Sequence, residues 1–325
     1  MRIGYSLSAE QFTPEEILDQ ARRARDAGFE SLAISDHFHP WNEAQGNSPF
    51  VWSMIGAISQ VAPELPLSTL VTCPIIRINP VILAQAAATA SLLLDGHFIF
   101  GVGTGENLNE HVWGAPWPPV KERLERLRES VELMRLLWTG DNVDFEGRYY
   151  RAVNARLYSL PDEPPMVYVS GLGPHSTELA AEIGDGFVTF SRESLDQYRR
   201  AGGTGEAQTA LKVCFDVDEA LAIGMIHRLW ATELNPGQLN RELAQPQHIE
   251  SAASFVTPEM VAERFTCGAD PDRHVAALQR RIDDGFDEIF VQQVGDDLDG
   301  FFETYRTEVL PCLVKERARV GSHRR

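Results

Sequence analysis

Two stretches of the chain concentrate groups that can move a proton. In Ser35-Asp36-His37-Phe38-His39-Pro40-Trp41 an imidazole stands beside a carboxylate at the end of an apolar run. Imidazole titrates near neutrality and a neighbouring carboxylate can orient it, so His37 is a candidate general base. A histidine taken alone is more often a hydrogen-bonded structural residue. In Gly101-Val102-Gly103-Thr104-Gly105-Glu106 a carboxyl follows a glycine-rich exit, where backbone can approach a planar ligand and a partly desolvated carboxyl can hold a proton. The Gly-x-Gly-x-Gly spacing is not that of a dinucleotide fingerprint. Ser170-Gly171-Leu172-Gly173-Pro174 opens a helix and reads either as a phosphate cradle built from backbone N–H groups or as a tight turn. His37-Phe38-His39 also has the His-x-His form of metal-dependent barrel hydrolases. Such a site needs further His and Asp ligands, and the later strand ends offer Ser170, Phe190 and Gln292 instead, so no metal is expected.

Each stretch closes a short apolar or β-branched run. Eight such runs occur, at residues 3–7, 31–35, 67–72, 98–102, 166–170, 186–190, 211–216 and 288–292, most of them followed by a segment with helical period. Strands alternating with helices imply parallel βα units, and eight of them imply an α/β fold, a (β/α)8 TIM barrel whose active site lies at the C-terminal strand ends. A single domain over residues 1–320 is expected, with a hairpin inserted at about 141–160 around Gly147 and a proline-punctuated lid at about 235–262; residues 321–325 read as a frayed tail. Residues 121–138 form the clearest amphipathic helix, with Leu124, Leu127, Val131, Met134 and Trp138 on one face. Asn79-Pro80 caps a helix whose residues 81–94 carry no charge. That composition fits either a homodimer interface or a helix covered by the chain's own insertions.

The 47 acidic against 29 basic residues give a net charge of −18, which repels nucleic-acid phosphates and anionic lipid headgroups. No apolar run is long enough to span a bilayer and the N-terminus reads at once as a strand, so a cytoplasmic protein with a small-molecule substrate is expected. Four scattered cysteines, without a Cys-x-x-Cys pair, read as buried free thiols.

Taken in order, Ser8-Ala9-Glu10-Gln11-Phe12, Ser35-Asp36-His37-Phe38 with Pro40-Trp41, Asn79-Pro80, Gly101 to Glu106 with Leu108-Asn109-Glu110, Lys121-Glu122-Arg123 and Gly184-Asp185-Gly186-Phe187 resemble the F420-dependent glucose-6-phosphate dehydrogenase family of the luciferase-like barrel superfamily. The resemblance covers nearly the whole chain and is densest up to about residue 190. It implies the deazaflavin coenzyme F420 as hydride carrier, with FMN, as in the monooxygenases of the same superfamily, as the alternative. It further implies His37 as the base that takes a substrate hydroxyl proton, Trp41 packed near the developing charge, Glu106 as the acid at N1 of the reduced ring, and Glu10 as a further active-site glutamate. By the same resemblance Asp36, Thr104, Gly105 and Asn109 line the ring, a cis peptide at Leu70-Val71 supports it, and Ser170, Gly171, Leu172 and Gly173 hold the coenzyme phosphate. Family members that act on sugar phosphates carry basic groups at two places where this chain has Arg192-Glu193 and Glu263-Arg264, with an acid in place of lysine. Each pair is locally near neutral, so a neutral or cationic alcohol, carbonyl or imine is expected as substrate in place of glucose 6-phosphate.

Overall fold

Strands β1 (Arg2–Leu7), β2 (Leu32–Ile34), β3 (Leu67–Thr69), β4 (Phe98–Val102), β5 (Met166–Ser170), β6 (Gly186–Val188), β7 (Ala207–Cys214) and β8 (Glu288–Gln293) pair in parallel, each with the next. β8 pairs back onto β1, so the sheet closes into a (β/α)8 barrel. The computed structural model describes residues 1–313; the tail expected at 321–325 lies outside the described residues.

Alternation along the strands divides each run between the interior and the helix layer. Interior positions need close fitting. A Cβ on Gly4 would stand 2.5 Å from the Phe290 ring, and one on Gly186 would run into the ring of Tyr168. Ile99, Tyr168 and Val188 form an interior cluster against which Leu70 and Val71 pack. The N-terminal end of the barrel is closed by polar groups. Buried Glu288 accepts hydrogen bonds from Arg2 (3.1 Å), Ser31 (2.6 Å) and Gln208 (2.7 Å). This closure corrects the seventh strand, which begins at Ala207 and not at 211: Gln208 and Thr209 are fully buried polar residues that an apolar-run criterion passes over, and the strand ends at Cys214. The third and sixth strands also end short of the expected runs, at Thr69 and Val188.

The outer layer follows helix chemistry. Asn79 caps the helix α1 (Pro80–Leu93) by accepting from the Val81 N–H, with Pro80 in the first turn. The helix α2 (Val120–Leu137) buries Leu127, Val131 and Met134, and Trp138 at its end donates its indole N–H to the Ala84 carbonyl of α1 at 2.9 Å. An antiparallel hairpin, Val143–Glu146 with Arg151–Ala155, follows α2. Its turn is held by the Glu129 carboxylate, which accepts the N–H groups of Arg148, Tyr149 and Tyr150. After β7 the chain leaves the barrel rhythm through the helix Glu219–Trp230, the 3-10 turn Ala231–Leu234 and three short helices ending at Arg264. This covering segment has its own apolar cluster, including Ala222, Ile226, Leu229, Trp230 and Val261, and Trp41 packs against it.

Candidate active site

The C-terminal ends of β1 and β2 meet through a buried carboxylate. Glu10, 2% exposed, accepts hydrogen bonds at one oxygen from the hydroxyls of Ser8 (2.9 Å) and Ser35 (2.7 Å), while Ser35 accepts the Ala9 N–H at 3.0 Å. The other Glu10 oxygen faces His37 Nε2 at 3.5 Å. His37 Nδ1 lies 3.1 Å from the His39 carbonyl and 3.1 Å from the Asn109 side-chain nitrogen. Asn109 Oδ1 accepts the N–H groups of Phe38 and His39, which fixes the orientation of its amide. The ring therefore has two usable tautomers. With the proton on Nδ1, donated to His39, the Nε2 lone pair is free to take a proton. With the proton on Nε2, Nδ1 accepts from Asn109. The Trp41 ring leans on His37 at 4.8 Å between centroids.

The carboxylate nearest in sequence does not orient the imidazole. Asp36 is buried and turned the other way, where it accepts the Thr72 hydroxyl at 2.8 Å and the Arg77 guanidinium at 2.6 Å. Neighbouring side chains of an extended segment diverge, so barrel closure, which sets β1 beside β2, supplies Glu10 as the facing acid instead. Arg77 also reaches Glu110: the Arg77 N–H donates to Glu110 at 2.7 Å, and its Nε is 3.6 Å from the second oxygen. Burial pushes the Glu110 carboxyl up to about 7, opposed by Arg77. Arg77 lies in none of the sequence motifs, and Glu110 stands in one of them without an assigned role. The signal for Arg77 is its isolation, as the lone charged residue between Glu64 and Asp95.

The ends of β3, β4 and β5 form a ledge of bare backbone. The Leu70–Val71 peptide is cis. A Cβ on Gly101 would overlap the Thr69 carbonyl oxygen, and one on Gly103 would meet the Val71 side chain at 2.9 Å. Gly105 has φ +70°, and a Cβ there would run into the Cys73 sulfur. The three glycines thus let β4 run close against residues 69–73, with Leu70 and Val71 left half-buried, an arrangement in which backbone can approach a planar ring. Thr104 and Glu106 are half-buried at its edge, and Glu106 precedes the short helix Asn107–Glu110 without a capping bond from its side chain.

At the end of β5, Ser170 is half-buried and the Gly171 N–H donates to the Val188 carbonyl. The N–H groups of Leu172 and Gly173 point at the Ser176 hydroxyl, both at 3.2 Å. Gly171 answers to packing, since a Cβ there would stand 2.8 Å from the Thr177 backbone. Gly173 opens the helix Pro174–Ile183.

The two expected charge pairs are not formed where the sequence suggested. Arg192, Glu193, Glu263 and Arg264 lie at the surface, and Arg192 turns from its neighbour to Asp284 at 3.5 Å and Asp196 at 3.8 Å, since adjacent residues of a helix do not face each other. A cation that does stand on the interior face of the barrel is Lys212 of β7, which sequence reading missed because it sits within a strand run. Lys212 Nζ is 2.6 Å from Glu233 of the covering segment and 4.3 Å over the Trp230 ring. Trp230 in turn donates its indole N–H to Gln11, the residue after Glu10, at 3.2 Å. Asn42 and Gln45 donate to the Leu229 carbonyl, both at 2.9 Å, and Gln45 accepts the Trp41 N–H at 2.8 Å. These bonds dock the end of the covering helix onto the loop that carries His37 and Trp41.

Residues 1–288 match the model of the luciferase-like monooxygenase family. Over 331 residues the chain is 37% identical to an F420-dependent glucose-6-phosphate dehydrogenase of Intrasporangium calvum, with 96% of this chain and 99% of the relative covered. It is 35% identical to the protein of that name from Amycolatopsis mediterranei, with 96% and 98% covered. A solved structure, an F420-dependent secondary alcohol dehydrogenase in complex with an F420-acetone adduct, superposes with a TM-score of 0.89 at 31% identity, covering 95% of this chain and 98% of that one.

Proposed function

The chain belongs to the luciferase-like monooxygenase family, and within it we propose that this protein is an oxidoreductase dependent on coenzyme F420, acting on an alcohol or, in reverse, a carbonyl or imine. The observation that carries the reading is the Glu10–His37 pair standing beside the glycine-lined ledge, in a chain whose relatives of similar length are named as F420-dependent dehydrogenases. The deazaflavin, when bound, supplies a hydride acceptor or donor at C5. Leu70, Val71, Gly103, Thr104 and Gly105 would hold its ring, with Asp36 and Asn109 behind the adjoining loop, and the Ser170 to Gly173 turn would hold its phosphate.

His37 takes the hydroxyl proton of an alcohol at Nε2, in the tautomer whose Nδ1 proton is donated to His39. The imidazolium so formed faces Glu10, whose buried charge stabilises it at 3.5 Å. Trp41 covers the imidazole and keeps water from it. Glu106, half-buried beside Thr104 and Gly105, would stand at the edge of the bound ring as its proton-exchanging carboxyl.

An unphosphorylated substrate is favoured over glucose 6-phosphate because Lys212, an inward-pointing cation at the mouth, is already matched by Glu233. We place the protein in the cytoplasm as a homodimer. No helix among the described residues is long and apolar enough to cross a membrane, and the exposed Ile82 and Leu93 of α1 line a shallow groove with Trp52 and Ile55 that a second copy would cover. Steady-state assays that follow loss of deazaflavin absorbance with 2-propanol and with glucose 6-phosphate test the reading. Turnover of the neutral alcohol is expected, and a low-micromolar Michaelis constant for the sugar phosphate would contradict the substrate class.

A further inference from the structure

Lys212 stands on the interior face of the barrel. Gln208 of the same strand reaches across the interior to Ser68 and Glu288, so residues 208, 210 and 212 share that face. Lys212 lies near the C-terminal end of β7, level with Gln292 of β8. An inward lysine is a costly placement unless a counter-charge meets it. That counter-charge comes from outside the strands: Glu233 lies on the 3-10 turn of the covering segment, and its oxygen is 2.6 Å from Nζ. The Lys212 side chain is 18% exposed and is held beneath by the Trp230 ring. Next to it, the side-chain nitrogen of Gln292, a residue 6% exposed, has no hydrogen-bond partner among the described residues. The mouth therefore presents a neutralised cation beside an unpartnered neutral donor.

We propose that Glu233 is a specificity-determining residue that sets the charge of the substrate. With Glu233 in place, the surface made by Lys212, Trp230 and Gln292 accepts an uncharged oxygen-bearing group. Without Glu233, Lys212 becomes an anion-binding group at the same point and the enzyme admits substrates carrying a phosphate or carboxylate. The proposal rests on the reading of this mouth as the substrate site, and it is chemically separable from the identity of the hydride carrier.

The test uses the full-length protein and two variants, Glu233→Gln and the double variant Lys212→Met/Glu233→Gln. In Glu233→Gln the ratio of kcat/KM for glucose 6-phosphate to that for 2-propanol is expected to rise by ~10–100-fold, the range of one charge-assisted hydrogen bond, and in the double variant to return to the wild-type ratio. Calorimetric titration with inorganic phosphate gives a readout that needs no turnover: Glu233→Gln should bind phosphate at least ~10-fold more tightly than either the wild type or the double variant. An unchanged phosphate affinity in a Glu233→Gln protein with wild-type circular dichroism overturns the proposal. So does a wild-type preference for glucose 6-phosphate. The expected phosphate pattern without deazaflavin turnover in any of the proteins supports the charge assignment and counts against the function proposed for the site.

Discussion

The side-chain nitrogen of Asn109 lies 3.1 Å from His37 Nδ1, and the oxygen of the same amide accepts the backbone N–H groups of Phe38 and His39. One buried amide from the short helix after β4 thus sets both the path of the loop after β2 and the ring that the loop carries. Asn109→Leu removes the acceptor from two backbone donors and the contact that orients the imidazole. We expect turnover to fall by ~10–100-fold from lost positioning, and stability to fall by about 1–3 kcal/mol. Steady-state kinetics with chemical denaturation of the same variant check both figures, and unchanged kcat would show that His39 alone orients the ring.

His37→Ala is expected to leave coenzyme binding nearly intact and to lower turnover by ~10²–10⁴, the usual loss for a positioned acid or base. Coenzyme titration and turnover measured on one preparation separate the two effects. Full activity in the variant would remove His37 from the chemistry.

The parts of this site differ in how legible they are in the sequence. His37, Glu10 and Glu106 can be picked out because each follows a strand run, and barrel architecture directs such positions to one face. The pairing of Glu10 with His37 cannot, because it depends on β1 lying beside β2, while the sequence offers Asp36 as the nearer acid. Asp36 and Arg77 form a support that no local pattern announces, although an isolated arginine in an uncharged stretch is a usable hint. Lys212 and Glu233 are joined only by the way the covering segment folds back over β7. The start of β7 is hidden for a related reason, since Gln208 places a polar group in the barrel interior and Thr209 is buried on the opposite face of the strand.

Glu110 makes stability depend on pH. Burial raises its carboxyl from 4.5 to about 7 in the folded chain. A carboxyl raised in this way favours the fold while protonated: the contribution is fully present below the unfolded value near 4.5 and is lost as pH rises through about 7. Glu110→Gln stays neutral throughout. Its stability relative to wild type should therefore improve by on the order of 3 kcal/mol between about pH 5 and pH 8. Thermal unfolding of both proteins across that window measures the difference. Parallel curves would mean that Arg77 keeps Glu110 ionised throughout that window.

A charge on the uncharged helix tests the association. Leu93 is 43% exposed at the rim of the groove formed with Trp52 and Ile55. Leu93→Asp should convert a dimer to a monomer at micromolar concentration by light scattering, because an aspartate buried in an apolar interface without a partner costs several kcal/mol. A wild-type protein that is already monomeric would show that this face is left open in solution.

The identity of the hydride carrier is the claim on which the rest depends. Titrating the purified protein with coenzyme F420 and, separately, with FMN, each followed by the fluorescence of the added cofactor, measures it whatever the substrate is. Saturable binding of F420 at micromolar concentration or below, with FMN binding much more weakly, is the result expected from the glycine-rich exit of β4 at Gly101, Gly103 and Gly105 and from the relatives' dependence on that coenzyme. Tight binding of FMN with no binding of F420 would contradict it.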